Sequence, residues 1–91
     1  MQEVYCTVSG LVQKVFFRVY IKEIADVLDL TGFVKNNEDG TVEIIVQSYN
    51  EEKIKHFISK VKEGSPMSKV EMVDTKWQSP TKEFEYFVIE Y

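Results

Sequence analysis

The sequence has a single cysteine, Cys6, and it lacks any long apolar run. One cysteine cannot form a disulfide within the chain, which excludes a small secreted scaffold held together by disulfides. No apolar segment approaches the roughly 20 residues that a membrane-spanning helix requires. The residues after Met1 enter an alternating strand pattern instead of the apolar stretch of a signal peptide. We therefore expect a cytoplasmic protein with no membrane partner.

Basic residues are also few. The chain has 11 Lys and Arg residues against 15 Asp and Glu residues, which leaves a formal net charge of -4. Nucleic acids and anionic membranes are bound by strongly basic faces. The charges here are interspersed along the chain, as on an ordinary solvated surface, so no nucleic-acid partner is expected.

Side chains of the usual catalytic and metal-binding types are equally sparse. His56 is the only histidine, and its place in a helical pattern predicts an exposed position with no Ser or Cys nucleophile beside it. Cys6 alternates with Val4 and Val8 and is expected in the core. Two pairs of acidic residues, Glu51 with Glu52 and Glu83 with Glu85, could be taken for metal ligands. A helix start and solvent-facing strand positions explain these pairs better. We expect neither a metal nor a cofactor.

What the chain does contain is the periodicity of one small domain, expected to span residues 1–91. Residues 1–10 alternate as a strand. A helix follows after a short loop, because apolar residues recur there at spacings of four, three and four. That helix should end near Thr31 and Gly32, where the glycine can serve as the cap or the turn. Its apolar stripe consists of Phe17, Ile21, Ile24 and Leu28.

A hairpin and a second helix come next. Residues 33–36 and 41–47 are predicted strands, since the turn-forming residues 37–40 separate them. Asn50 is the expected N-cap of the second helix, and Gly64 is expected to end it. The apolar stripe of this helix consists of Ile54, Phe57, Ile58 and Val61.

Two strands close the pattern, at residues 68–78 and 82–91, with a break at Ser79-Pro80-Thr81. The order is βαββαβ plus a C-terminal strand. Right-handed crossovers then predict a ferredoxin-like split βαβ sandwich of the α+β class, with two helices on one face of an antiparallel sheet. Many unrelated functions use this fold, so the fold does not determine the activity.

The loop of residues 10–18 is the most informative segment. Arg18 falls in the opening turn of the first helix, where a cation is unfavourable by roughly 0.3–1 kcal/mol. An anion held between the free helix N–H groups and the guanidinium would explain the placement. Alternatively, Arg18 points outward and pairs with Glu23 or Asp26. Position alone leaves both readings open.

Asn36 is a second candidate, at the end of the strand that follows the first helix. It precedes the hairpin turn, whose composition would include asparagine in any case. A carboxamide can also orient a water molecule, because it accepts one hydrogen bond and donates another. Spacing does not choose between these roles.

Two segments of the chain form recognisable motifs. The first reads Gly10-x-Val12-Gln13-x-Val15-x-Phe17-Arg18. The second reads Gly32-Phe33-Val34-Lys35-Asn36, followed by Gly40-x-Val42. The first resembles the phosphate-binding signature of the acylphosphatase family, the second resembles the second signature of that family, and the likeness extends over essentially the whole sequence.

The resemblance implies a metal-independent hydrolase that cleaves acyl phosphates to a carboxylate and inorganic phosphate. It implies that Arg18 binds the phosphoryl group and that Asn36 holds the attacking water. It also implies a small-molecule acyl phosphate as substrate and phosphate or a similar anion as ligand. Independently of the resemblance, one compact domain without an obvious excess apolar face favours a monomer. The phosphate-binding loop that it implies consists of Val12, Gln13, Lys14, Val15, Phe16, Phe17 and Arg18.

Lys14 departs from the family pattern, because the family usually has glycine at this position of the loop. If the backbone must be left-handed there, lysine costs roughly 1–2 kcal/mol. Ser48 is a second departure, farther from the predicted site. Alternatively, the Lys14 ammonium adds charge attraction for the phosphate. Besides hydrolysis, two other functions stay open: an anion-binding domain with impaired or no catalysis, and a regulatory small-molecule domain that acts by dimerisation.

Overall fold

The alternating and helical patterns of the sequence form a five-stranded sheet with two helices. A computed structural model describes residues 1–80 and 82–91. Thr81, the last residue of the predicted break after the fourth strand, lies outside the described residues. In chain order the elements are β1 (Gln2–Leu11), α1 (Phe17–Val27), β2 (Thr31–Asn36), β3 (Val42–Ser48), α2 (Glu51–Glu63), β4 (Lys69–Gln78) and β5 (Phe87–Glu90).

The core lies between the helices and one face of the sheet. Val4, Cys6 and Val8 of β1 are fully buried there, because side chains at alternate positions of a strand share a face. The predicted apolar stripe of α2 is buried in full. Of the stripe predicted for α1, Phe17 and Ile21 are buried, Ile24 and Leu28 are only partly buried, and Ala25, which was not predicted, joins the core. The buried residues of the two helices are Phe17, Ile21 and Ala25 of α1, and Ile54, Phe57, Ile58 and Val61 of α2. The predicted ferredoxin-like layer of two helices on a sheet is confirmed.

The sheet is mixed, which corrects the prediction of an antiparallel one. The strand order is β4-β1-β3-β2-β5, and β5 pairs with β2 in parallel while the other neighbours are antiparallel. The two edge strands are consecutive in the chain. The segment between β4 and β5 therefore crosses from one edge of the sheet to the other, and the chain direction reverses on the way.

The last strand is also shorter than predicted, since β5 covers only Phe87–Glu90. Residues 82–86 belong to the crossing segment, and the buried side chain of Gln47 holds them in place. The backbone N–H of Phe84 donates to Oε1 of Gln47 at 3.1 Å. The Gln47 amide in turn donates to Oε1 of Glu3 at 2.7 Å. The alternating pattern of residues 82–91 contains no signal for this crossing.

The end of α1 is a further correction. The helix stops at Val27, and Asp29 takes a left-handed turn with φ of 55°. Gly32 is neither cap nor turn but lies inside β2. Its φ is 138°, and a Cβ atom there would lie 1.8 Å from the carbonyl oxygen of Ile45. Glycine is required because the neighbouring strand approaches too closely for any side chain.

The remaining predicted signals around α2 and the hairpin are confirmed. The Asn50 side chain accepts hydrogen bonds from the N–H groups of Glu52 and Lys53 at 3.0 and 3.3 Å. Gly64 ends the helix with φ of 79°. The hairpin closes through a bond from Asn37 N to Thr41 O at 2.9 Å.

His56 is exposed on α2, as expected. Within residues 1–80 and 82–91, no helix is both long enough and apolar enough to cross a membrane.

Candidate active site

The loop between β1 and α1 has an unusual backbone. Lys14 and Phe16 have φ of 62° and 60°, both in the left-handed region, and Val15 between them does not. Alternation of this kind turns successive N–H groups toward a common point and forms a concave anion-binding surface called a nest. Lys14 thus occupies a conformation that favours glycine, at the position where the family pattern has glycine.

The first turn of α1 adds more free donors. Phe16 is the N-cap, it provides no side-chain capping bond, and the first turn contains no acidic residue. The second helix differs on both counts, with Asn50 as cap and Glu51 and Glu52 in its first turn. The N–H groups at the start of α1 therefore remain available to an anion from outside the chain.

Arg18 lies at this helix start and reaches the C-terminal strand. Its Nη1 atom donates to the carbonyl oxygen of Glu90 at 3.1 Å. Its guanidinium carbon lies 4.7 Å from the ring centre of Tyr91. The alternative pairing with Glu23 or Asp26 is wrong. None of the ion pairs among the described residues involves Arg18, and Asp26 pairs with Lys22 instead.

Asn36 lies in the final position of β2, opposite Val42 of β3. The turn is built by the next residue, Asn37, whose Nδ2 donates to Oγ1 of Thr41 at 3.0 Å. In the described part of the chain, the buried Oδ1 of Asn36 has no hydrogen-bond partner. A buried carbonyl without a partner is costly, so this position is poorly explained by folding alone.

Arg18 and Asn36 border the same pocket, which has a volume of about 410 Å³. Of the predicted loop residues, Val12, Lys14, Phe16 and Phe17 also line it. Sequence reasoning missed three lining residues. Those three are Val19, Ile89 and Tyr91, and the last two reach the site only because β5 pairs with β2.

The other two predicted loop residues hold the loop rather than line it. Val15 packs against the core. The Nε2 atom of Gln13 donates to the backbone carbonyls of Asn37 and Thr41, each at 2.8 Å. Through these two bonds Gln13 ties the loop to the hairpin turn that immediately follows Asn36.

The cysteine thiol and the acidic side chains outside the pocket offer neither a reactive nucleophile nor a metal site among the described residues. Burial raises the pKa of the Cys6 thiol to about 12, so Cys6 is protonated at neutral pH and is a poor nucleophile. Among the residues that the structure describes, no three His, Cys, Asp or Glu side chains are grouped so that they could hold a metal ion.

A comparison with known protein families matches residues 4–89 to the acylphosphatase family model. The chain belongs to the acylphosphatase family. An acylphosphatase of Bacillus licheniformis is 42% identical over 84 residues, which cover 92% of each chain. An acylphosphatase of Lactobacillus johnsonii is 42% identical over 92 residues, the full length of both.

The fold comparison agrees with the family. The crystal structure of an acylphosphatase from Bacillus subtilis superimposes with a TM-score of 0.95 at 36% identity, and each chain is covered completely. The resemblance inferred from the two signatures is thereby confirmed, and so is the general activity: the chain is a hydrolase that acts on acyl phosphates.

The Gln13 tether in this acylphosphatase leads to a testable prediction. Gln13→Ala removes two hydrogen bonds from one amide, and each contributes roughly 0.5–1.5 kcal/mol. We expect the free energy of unfolding to fall by about 1–3 kcal/mol, measured by urea denaturation. Gln2→Ala, at the exposed first position of β1, serves as the control and should stay within about 0.5 kcal/mol of the wild type. An equal effect in both variants would contradict the tether.

Proposed function

We propose that the chain hydrolyses the carboxyl–phosphate anhydride of acyl phosphates with Arg18 binding the phosphoryl group and Asn36 positioning the attacking water. One observation carries the proposal. A single pocket brings together a guanidinium, a carboxamide and the uncapped start of α1 behind a loop that is left-handed at two positions. The products are a carboxylate and inorganic phosphate.

Phosphoryl binding follows from the charges and donors at the start of α1. The loop N–H groups and the positive end of the helix attract the phosphoryl oxygens. The guanidinium has five N–H donors in a planar fork, of which one atom, Nη1, is engaged by the Glu90 carbonyl. That bond and the Tyr91 ring fix the side chain before substrate arrives, so little ordering remains to be done on binding.

Asn36 provides a group that can orient water beside the bound phosphoryl group. Its side chain borders the pocket, and its Nδ2 can donate a hydrogen bond to the oxygen of the nucleophile. The Oδ1 atom is itself buried and has no donor among the described residues. Phosphoryl transfer depends mainly on such positioning and on stabilising the charge of the equatorial oxygens.

The leaving group explains why so few residues suffice. A carboxylate is stable as an anion at neutral pH, since acids of this kind have pKa values near 4. No general acid is needed to protonate it as the anhydride bond breaks. Electrostatic stabilisation by Arg18 and the backbone donors then supplies the main catalytic effect, without a requirement for a metal ion.

We include in the proposal that residues 1–91 act as one acylphosphatase-like domain, as a cytoplasmic monomer, on a small-molecule acyl phosphate. The groups that the proposed reaction uses, Arg18, Asn36 and the loop before α1, already border one pocket within a single chain, so the reaction requires no second copy. Sedimentation of the active protein as a single species of monomer mass is the expected result.

A second candidate function depends on Lys14. Its φ of 62° places a lysine in a conformation that costs roughly 1–2 kcal/mol for a residue with a side chain. If that strain distorts the loop in solution, the domain binds anions without turning over substrate. The left-handed backbone at positions 14 and 16 supports the active alternative, because it is present with lysine at position 14.

Hydrolysis of benzoyl phosphate by the wild type, Lys14→Gly and Lys14→Ala separates the two functions. We expect turnover in the wild type and a change in kcat of less than about threefold in Lys14→Gly. Glycine relieves the backbone strain of the folded state, but it also adds entropy to the unfolded state, which lowers the free energy of unfolding by roughly 0.4–1 kcal/mol. Lys14→Ala removes the ammonium group and still requires a residue with a side chain to adopt the left-handed backbone conformation. An inactive wild type that gains activity only in Lys14→Gly would establish the binding module instead.

A further inference from the structure

Two aromatic side chains on the pocket are unusually exposed. The relative exposure of Phe16 is 77% and that of Tyr91 is 93%. Both line the pocket that holds Arg18, and Tyr91 stacks on the guanidinium. Large apolar side chains gathered at a concave site commonly mark a ligand-binding surface.

The backbone of Phe16 makes its exposure harder to explain by folding. A left-handed conformation is uncommon for a bulky residue, and it costs of order 1–3 kcal/mol. Burial does not compensate that cost, because the ring remains mostly in solvent. A small polar residue, or glycine, would suit the N-cap position better. Phe16 therefore combines a strained backbone with a mostly exposed ring, and burial of that ring does not stabilise the fold.

The polar and apolar residues that line the pocket indicate which part of the substrate this ring contacts. Among the lining residues the charged or amide side chains are Lys14, Arg18 and Asn36, and the proposed reaction assigns the last two to the phosphoryl group and the water. The other lining residues are apolar or aromatic: Val12, Phe16, Phe17, Val19, Ile89 and Tyr91. The acyl part of the substrate is the portion left to meet this apolar surface.

We propose that Phe16, with the ring of Tyr91 on the same pocket, selects acyl phosphates whose acyl group is aromatic or bulky and apolar. This inference rests on the proposed function and deepens it. The pocket of about 410 Å³ falls in the size range of small-molecule sites, so it has room for such an acyl group beside the phosphoryl group. Edge-to-face or offset contact between aromatic rings then favours an aryl acyl group over acetyl.

The test compares kcat/KM for benzoyl phosphate with kcat/KM for acetyl phosphate. We expect the wild type to prefer benzoyl phosphate and Phe16→Ala to lose about threefold to tenfold of that preference, the worth of one aromatic contact. Phe16→Tyr keeps a ring and should keep the preference. Tyr49→Ala removes an aromatic side chain that is 80% exposed and lies outside this pocket, and it should leave the ratio unchanged.

The outcomes separate this inference from the function on which it rests. If the wild type hydrolyses both substrates and Phe16→Ala retains the full benzoyl preference, the specificity role is wrong while the hydrolase stands. A wild type that favours acetyl phosphate, or an acyl phosphate with an anionic acyl group that could pair with Lys14, would also overturn it. If the wild type hydrolyses neither substrate, the proposed function fails and this inference fails with it.

Discussion

Arg18→Ala should lower kcat/KM for an acyl phosphate by about 10³-fold, and it should abolish detectable binding of inorganic phosphate. Losses of this size accompany removal of a preorganised charge from a phosphoryl-transfer site or an oxyanion site. The effect is expected to be large here because Arg18 is the only arginine of the chain. Steady-state kinetics and calorimetric titration with phosphate provide the measurements.

Two further variants make that result interpretable. Arg18→Lys keeps the charge but loses the planar fork of donors, so its activity should lie between those of the wild type and Arg18→Ala. Lys55→Ala removes a cation on α2 that forms exposed ion pairs with Glu51 and Glu52. Its kcat/KM should stay within about twofold of the wild type, since such pairs contribute little. Arg18→Ala that still binds phosphate with wild-type affinity would contradict the assignment.

Asn36→Ala should produce a different pattern, with kcat lowered by about 10²-fold to 10³-fold and KM changed by less than about threefold. An interaction made mainly in the transition state lowers kcat and leaves ground-state binding largely intact. The urea midpoint should not fall through a lost hydrogen bond, because the buried Oδ1 of Asn36 has no partner among the described residues. Kinetics and urea denaturation on the same preparation test both statements.

The neighbouring asparagine is the matched control for Asn36. Asn37→Ala loses the bond from Nδ2 to Thr41 Oγ1, so stability should fall by roughly 0.5–1.5 kcal/mol. Its backbone carbonyl, which accepts from Gln13, is retained, and kcat should therefore be nearly unchanged. The water-positioning role would be refuted if Asn36→Ala kept full kcat, or if the two variants lost activity to the same extent.

Local signals in the sequence were sufficient for most of the elements. The alternation of Val4, Cys6 and Val8 placed them on the buried face, because strand geometry depends only on neighbouring residues. The caps of α2 were predicted correctly for the same reason, since Asn50 and Gly64 act within one turn of their own positions. Gly32 was misassigned because its requirement is tertiary: the close approach of Ile45 on another strand.

The site could be predicted only in part, and the missing part is non-local. The loop signature and Asn36 identified one wall of the pocket, and the structure brings Arg18 and Asn36 together there. Nothing near Ile89 or Tyr91 in the sequence indicates that β5 crosses to the far edge and pairs in parallel with β2. The same crossing determines what Arg18 contacts, so the expected alternative partners Glu23 and Asp26 could not be rejected before the fold was known.

The most direct test of the central claim is a calorimetric titration of inorganic phosphate into the wild type, Arg18→Ala and Asn36→Ala, with benzoyl phosphate hydrolysis measured on the same samples. The account predicts that the wild type binds and hydrolyses, that Asn36→Ala binds but scarcely hydrolyses, and that Arg18→Ala does neither. Phosphate binding and turnover that survive the loss of Arg18 would show that the anion is held elsewhere and would contradict the account.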